Sequence, residues 1–356
     1  MSLIEADNVI IDTVSHLLSR ECNRDVVQAA EDGNFPVAMW TALCDSAVPW
    51  AWIPEESGGV GGSLADGAAI IHLAAQYAAP VPLCETLIAG RILADAGISV
   101  PMTSMSLVPL QSGRHLSIDK TGRMSGRACR IPYARHVEEL VAVAMRDSEP
   151  VITRVRRDDC AVTLDRSMAG EPLDDVDFGG ARGLDMTPVH PKFIESAWQL
   201  GALAKALQIC GAMQKVLALT VEYAKERKQF GRAIAKFQVI QHMIATQAEE
   251  VAAAACITDK ALSISIAEGP VSDASAISIA AAKVRCSEAA TEVARIAHQV
   301  HGAIGFAREY ELHQFTRRMW SWCDDFGSET TWAVEVGRRV SKLGGAALWS
   351  AVTDLS

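Results

Sequence analysis

The chain has 356 residues, 49% of them hydrophobic, and a formal net charge of -10. That length accommodates two or three domains, or one large domain with a generous core, and the acidic balance excludes a general nucleic-acid binder, which would carry a basic footprint. No run reaches the roughly eighteen uncharged apolar residues of a spanning helix. The start, Met1-Ser2-Leu3-Ile4-Glu5-Ala6-Asp7, lacks a basic segment followed by an apolar one, so the expected location is cytoplasmic, with no membrane partner.

From Asn8 to about Gly97 the pattern is helical. Ile11, Val14, Leu17 and Leu18 form one apolar stripe and Val37, Trp40, Leu43 and Cys44 another, with Asp32-Gly33-Asn34-Phe35-Pro36 reading as a loop and helix entry between them. The glycines in Trp50-Ala51-Trp52-Ile53-Pro54-Glu55-Glu56-Ser57-Gly58-Gly59-Val60-Gly61-Gly62 are not followed by Lys-Ser/Thr, and their spacing is not that of a dinucleotide loop. A turn is the expected structure. Between about Val100 and Pro191 the apolar period falls to near two. Strand candidates are Met105 to Leu110, His115 to Asp119, Arg123 to Ile131, Leu140 to Met145, Val151 to Arg156 and Ala161 to Leu164.

Pro191 opens a run of helical patterns: about Lys192 to Lys225, Gln238 to about Ile266, a third capped by Ser272 and reaching about His298, and a fourth over Glu329 to Leu343. Such helices joined by short loops describe a four-helix bundle. The nine cysteines are scattered without a C-x-x-C pair, which reads as reduced thiols.

The least ordinary stretch is Glu226-Arg227-Lys228-Gln229-Phe230-Gly231-Arg232-Ala233-Ile234-Ala235-Lys236-Phe237-Gln238. It lies at a helix-helix corner, where Gly231 can end the first helix with positive φ. An arginine, two phenylalanines and two glutamines exceed what a turn needs. They suit a dianionic, aromatic guest.

R-x-Q-F-G followed by x-x-I-x-x-F-Q closely resembles the acyl-CoA dehydrogenase family, whose corner holds the pyrophosphate of FAD. The resemblance implies a mixed, mostly α fold: an N-terminal α-helical domain over 1-99, a small trimmed β-domain over 100-190 and a C-terminal four-helix bundle over 191-356. Pro54 to Gly61 resembles the family's P-E-x-x-G-G-x-G. Ala79-Pro80-Val81-Pro82-Leu83-Cys84-Glu85-Thr86 resembles the branch that includes bacterial steroid side-chain dehydrogenase subunits. The family's T-E-P-x-x-G-S-D-like segment is missing: around Leu107 to Gly113 only Pro109 and Ser112-Gly113 remain.

Gln299-Val300-His301-Gly302-Ala303-Ile304-Gly305-Phe306-Ala307-Arg308-Glu309-Tyr310 resembles the family's Q-x-x-G-G-x-G-[YF]-x-x-E-Y, with Ala303 at the second glycine. In relatives this segment meets the FAD of a neighbouring subunit. The implied cofactor-binding residues are therefore Arg227, Gln229, Phe230, Phe237, Gln238, Gln299, Gly302 and Gly305. His298-x-x-His301 lacks carboxylates at a recognised metal spacing, so no metal is expected.

Desaturating an acyl thioester needs a carboxylate to take the Cα proton opposite the flavin. The family's usual glutamate, counted from Glu309, falls on Phe326, and its alternative position, counted back from Phe230, falls on Gly201. Asp325 is the candidate base and Asp324 the second.

The resemblance implies FAD-dependent conversion of an acyl-CoA to the 2,3-enoyl-CoA, electrons passing to an electron-transfer flavoprotein, in a homodimer or homotetramer. One rival is the partner subunit of a heterotetramer with a paralogous chain. Others are a flavin monooxygenase or nitroalkane-oxidase-like enzyme and a non-enzymatic helical assembly protein.

Overall fold

The computed structural model describes residues 6-110, 116-269 and 272-344, the side chain of Leu343 apart. Two compact units divide the chain: one takes Glu5–Ile70 and Pro80–Leu200, the other Ile71–Ala79 and the residues from Gly201 onward.

In the first unit, α1 (Asn8–Glu21) and α2 (Arg24–Glu31) begin at side chains that cap them. The Asp7 carboxylate accepts from Val9 N–H, and the Asn23 amide oxygen from the N–H groups of Asp25 and Val26. The stripe Val14, Leu17, Leu18 is buried as expected. Helix α3 (Val37–Asp45) is rotated from the expectation: it buries Met39 and Leu43 and leaves Val37 exposed. Helices α4 (Leu64–Gln76) and α5 (Leu83–Asp95) follow. The glycine-rich loop before α4 folds back on the chain, Gly61 N–H bonding Ile53 O and Gly62 N–H bonding Ala51 O, both at 2.8 Å. It is the turn its sequence suggests.

Nine strands follow: β1 (Met105–Leu107), β2 (Ser117–Ile118), β3 (Met124–Ser125), β4 (Arg127–Pro132), β5 (Glu139–Arg146), β6 (Glu149–Arg156), β7 (Ala161–Thr163), β8 (Leu173–Asp177) and β9 (Gly183–Pro188). One sheet has the order β3-β2-β5-β6-β9, with β1 parallel to β5; the other has the order β4-β8-β7. Ile131, Leu140, Val155, Val176 and Phe178 lie in their shared core. The single strand expected over Arg123 to Ile131 is two, separated at Gly126, whose φ is 110°. His115, expected in a strand, lies outside the described residues, as do Gln111, Ser112 and Gly113.

Strands β8 and β9 are not among the sequence-derived candidates, because acids interrupt their apolar alternation. Asp174 is fully buried in β8, where it pairs with the Arg135 guanidinium and accepts from the N–H groups of Arg135 (2.9 Å) and Asp165 (3.1 Å). Paired in this way, a buried carboxylate is tolerated.

The helices from α6 (Pro191–Glu226) onward dominate the second unit, although the first ten residues of α6 are grouped with the first unit. Helix α6 is long and apolar enough to cross a membrane by length and composition, but 72% of its apolar window is buried in the protein. It is followed by α7 (Gln238–Glu268), α8 (Asp273–His301), α9 (Leu312–Cys323) and α10 (Glu329–Leu343). Ser272 caps α8 as expected, its hydroxyl accepting from Ser275 N–H. Helix α9 is an addition to the expected set, although Leu312, Phe315, Met319 and Trp322 carry a helical period and are all buried.

Candidate functional site

Helix α6 ends at Glu226, and Gly231 does not end it. The corner is instead a small hairpin of β10 (Lys228–Gln229) and β11 (Arg232–Ala233), Lys228 opposite Ala233 and Gln229 opposite Arg232. Its two turn residues, Phe230 and Gly231, both have positive φ, 52° and 79°, as two-residue hairpin turns of the mirror-image type require. Glycine takes that conformation freely; phenylalanine does not. Phe230 is also 92% exposed. Strain and exposed apolar surface therefore coincide at one residue.

Around this tip stand four cations, Arg227, Lys228, Arg232 and Lys236, none in an ion pair among the described residues. The Arg232 guanidinium lies 4.2 Å from the centre of the Phe237 ring, and Phe230 meets that ring edge-on at 6.1 Å. Helix α7 then starts at Gln238 with no side chain capping its first turn. Its free N–H groups and the cations make a positive, partly aromatic surface.

The structure brings the second motif beside the first. Ile234 and Ala235 of the corner pack with Ile296 and Val300 of α8 in one apolar cluster. Tyr223 at the end of α6 stacks on His301 at 4.4 Å, and its hydroxyl donates to His301 O. Past His301 the chain makes a 3-10 turn over Gly302–Phe306. Gln299 and Gly302 are exposed and Gly305 is buried. A Cβ on Gly305 would stand 3.1 Å from His298 Nδ1, His301 Cβ and Leu312 Cδ2, so the residue must be small.

Two histidines support this turn. His301 Nδ1–H donates to Ala297 O at 2.7 Å, leaving Nε2 to accept from the Tyr310 hydroxyl at 3.2 Å. His298 bonds Thr316 and stacks on Phe306 at 4.2 Å. Burial lowers the pKa of both rings below the usual histidine range and pushes the Tyr310 phenol up to about 12. Among the described residues no group of three or more His, Cys, Asp and Glu could hold a metal ion.

The candidate base lies in the loop after α9. Asp324 is exposed. Asp325 is 21% exposed and faces the ammonium of Lys205, itself 3% exposed, at 3.3 Å. Lys205 carries no sequence signal, since its partner is 120 positions away. The neighbouring Phe326 has φ 53° and its ring occupies the notch at Gly201, where a Cβ would fall 2.1 Å from the ring carbon Cδ1. The two positions at which the family resemblance would place a base are thus in mutual contact, phenylalanine against glycine.

Residues 192-321 match the family model for the acyl-CoA dehydrogenase C-terminal domain. The chain is 28% identical over 319 residues to acyl-CoA dehydrogenase IpdE2 of Mycobacterium tuberculosis, covering 88% of this chain and 91% of that one. Its structure is similar to a chain of the ChsE4-ChsE5 complex from Mycobacterium tuberculosis, with a TM-score of 0.85 at 20% identity over 97% of this chain and 100% of the other. It is also similar to a chain of the Tcur3481-Tcur3483 steroid acyl-CoA dehydrogenase, with a TM-score of 0.83 at 18% identity over 95% and 98%. The chain is an acyl-CoA dehydrogenase-like oxidoreductase, of the class that acts on CH-CH bonds. Its similarity to the IpdE2 relative extends over nearly the full length of both chains. The matched residues include the corner at 226-238 and the segment at 299-310 and stop at residue 321, short of the loop that carries Asp325 and Phe326.

Proposed function

We propose that this chain is one subunit of a heteromeric, FAD-dependent acyl-CoA dehydrogenase, and that it supplies flavin-binding surface while a paralogous partner supplies the base. The observation that carries this reading is the Phe326 ring against Gly201, with Asp325 beside it paired to Lys205. A carboxylate facing a buried ammonium already has its charge compensated.

Distance along α6 supports the same reading. Gly201 and Glu226 are separated by about 38 Å of helix at the usual rise per residue, longer than an extended FAD. The corner and the base loop of one chain therefore serve different flavins, and a site containing both kinds of surface needs two chains. Two of the similar structures are complexes of two differently named chains.

The corner fits the group it would hold. Arg227 can pair with the diphosphate in a fork, the amides of Gln229 and Gln238 and the exposed ring of Phe230 can border it, and Gln299 and Gly302 form an adjoining surface with Gly305 buried beneath it. When bound, FAD accepts the hydride that leaves Cβ of the acyl-CoA as Cα loses its proton, and we place the electrons' next acceptor in an electron-transfer flavoprotein. The chain's own contribution is to fix the diphosphate, to exclude water with Phe230 and to keep His298 and His301 neutral beneath the glycine turn. The reading includes a cytoplasmic location. The domain limits 1-99, 100-190 and 191-356 are retained within it.

Purification of the chain alone and with a co-expressed paralogue tests this. Flavin absorbance that appears only in the co-purified complex is expected. A chain that holds flavin by itself and is bleached anaerobically by an acyl-CoA would sink the heteromeric reading. That result would favour the second reading, a homo-oligomeric dehydrogenase with Asp325 as base, for which the partial exposure of Asp325 speaks. Asp325→Asn would then keep flavin and lose bleaching.

A further inference from the structure

The loop between α9 and α10 is held from more sides than its length calls for. Lys283, in the middle of α8, is fully buried, and its ammonium donates to two carbonyls at the end of α9, Cys323 O at 2.6 Å and Trp322 O at 3.4 Å, and to one in the loop itself, Gly327 O at 3.0 Å. The indole N–H of Trp332, also fully buried, donates to Phe326 O at 2.9 Å. Lys205 in turn engages Asp325. Between these anchors Phe326 adopts a left-handed backbone that a side chain other than glycine's disfavours, and Gly327 follows with φ 98°. Burying an ammonium is costly unless its protons are all bonded, and here the carbonyls it engages join the last turn of α9 to the far end of the loop. Such an over-determined, strained segment marks a built feature rather than a passive connection.

We propose that Lys283 is a positioning residue, whose ammonium gathers the Trp322–Gly327 segment so that the Phe326 ring is seated in the Gly201 notch and keeps that position shut. Its significance as a closed base position rests on the heteromeric reading above; the closure itself does not. Lys283 acts through the loop and touches no substrate.

The test uses the full-length chain and a neutral thiol reagent, with Cys323 followed by peptide mass spectrometry. Cys323 is partly buried at the foot of the loop, and Cys210, fully buried in α6, serves as the reference. Losing a buried, charged set of hydrogen bonds should open the loop roughly tenfold or more often. Lys283→Met is therefore expected to raise Cys323 modification by about that factor while Cys210 keeps its wild-type rate. The expectation runs against simple thiol chemistry, because burial raises the Cys323 pKa, Lys283 offsets part of that rise, and its loss alone would slow the reaction.

Equal acceleration at Cys210 would mean that Lys283 serves overall stability, and no acceleration would mean that it does not hold the loop; either overturns the proposal. If Lys283→Met does not accumulate, Gly201→Ala decides. Its methyl must displace the Phe326 ring, so Cys323 should again be exposed selectively, and an unchanged Cys323 rate would show that the ring is not what seats the loop. Flavin is not read in this experiment, so its failure leaves the heteromeric reading standing. Failure of that reading likewise leaves this one to its own test.

Discussion

Two Phe-Gly pairs in this chain share an uncommon backbone and have opposite surroundings. Phe230-Gly231 and Phe326-Gly327 have positive φ at all four residues, with the phenylalanines at 52° and 53°. At 326 the strain is compensated inside the chain: the ring fills the Gly201 notch, Trp332 bonds the carbonyl, and Lys283 and Lys205 hold the flanks. At 230 the ring stands almost wholly in solvent with one edge toward Phe237, beside four cations that form no ion pair among the described residues. The same conformation thus occurs once in a packed setting and once in an open one. Such strain persists where the surroundings over-determine it, and on the proposed function a bound flavin would complete those surroundings at Phe230.

The largest expected effect lies on the packed side. Phe326→Ala empties the notch and should destabilise the protein by about 3 kcal/mol, the lower end of the range for a buried aromatic ring, because this ring is partly buried. A denaturant midpoint that barely moves would show the two pairs to be alike after all.

Between the two ends of α6, His72 of α4 is buried against Leu207 O and Gln214 Oε1, and burial holds its pKa down at about 4, from 6.5. As pH falls through 6.5 the unfolded chain takes a proton at this ring, whereas the folded chain does not until about 4. Stability is therefore full above 6.5 and is lost progressively down to about 4, by on the order of 3 kcal/mol. His72→Gln should flatten that acid limb in pH-dependent unfolding, and an unaltered limb would assign the loss elsewhere.

On the open side, Arg227→Ala should weaken flavin binding roughly 10-100-fold, the worth of a charge-assisted bond to phosphate. The melting temperature of the flavin-free protein should not move. A large fall in that temperature would give Arg227 a structural role instead. The smallest effect sharpens the contrast most: Phe230→Asn replaces a strained residue with one that accepts the left-handed region, and should stabilise the flavin-free chain by about 1 kcal/mol. It should also reduce flavin retention. Loss of stability would mean that the edge-on contact with Phe237 outweighs the backbone strain.

The open side was legible in the sequence because its signal is local. Arg227, Phe230, Gly231 and Phe237 lie within eleven positions, and the bundle helices around them show clear periods. The hairpin was not legible, since two-residue strands leave no period and phenylalanine is a poor forecast of positive φ. Helix α9 was legible in principle through Leu312, Phe315, Met319 and Trp322. Strands β8 and β9 were not, because Asp174 is a buried acid whose neutralising arginine comes from a distant turn. The closed side was readable only as an absence of glutamate. Its substance is a set of contacts across 39 to 125 positions, linking Lys283, Lys205 and Gly201 to one loop, and a linear pattern does not carry such pairs.

Helix α8 packs on α7, α9 and α10 and carries Lys283 at its middle and Gln299 and His301 at its end, with about 24 Å of helix between Lys283 and Gln299. A substitution that tilts this rod at one place will be registered at the other. Colour lost from a purified variant therefore does not map which end was damaged, and a screen scored on pigment alone would assign Lys283 to a cofactor pocket it never enters.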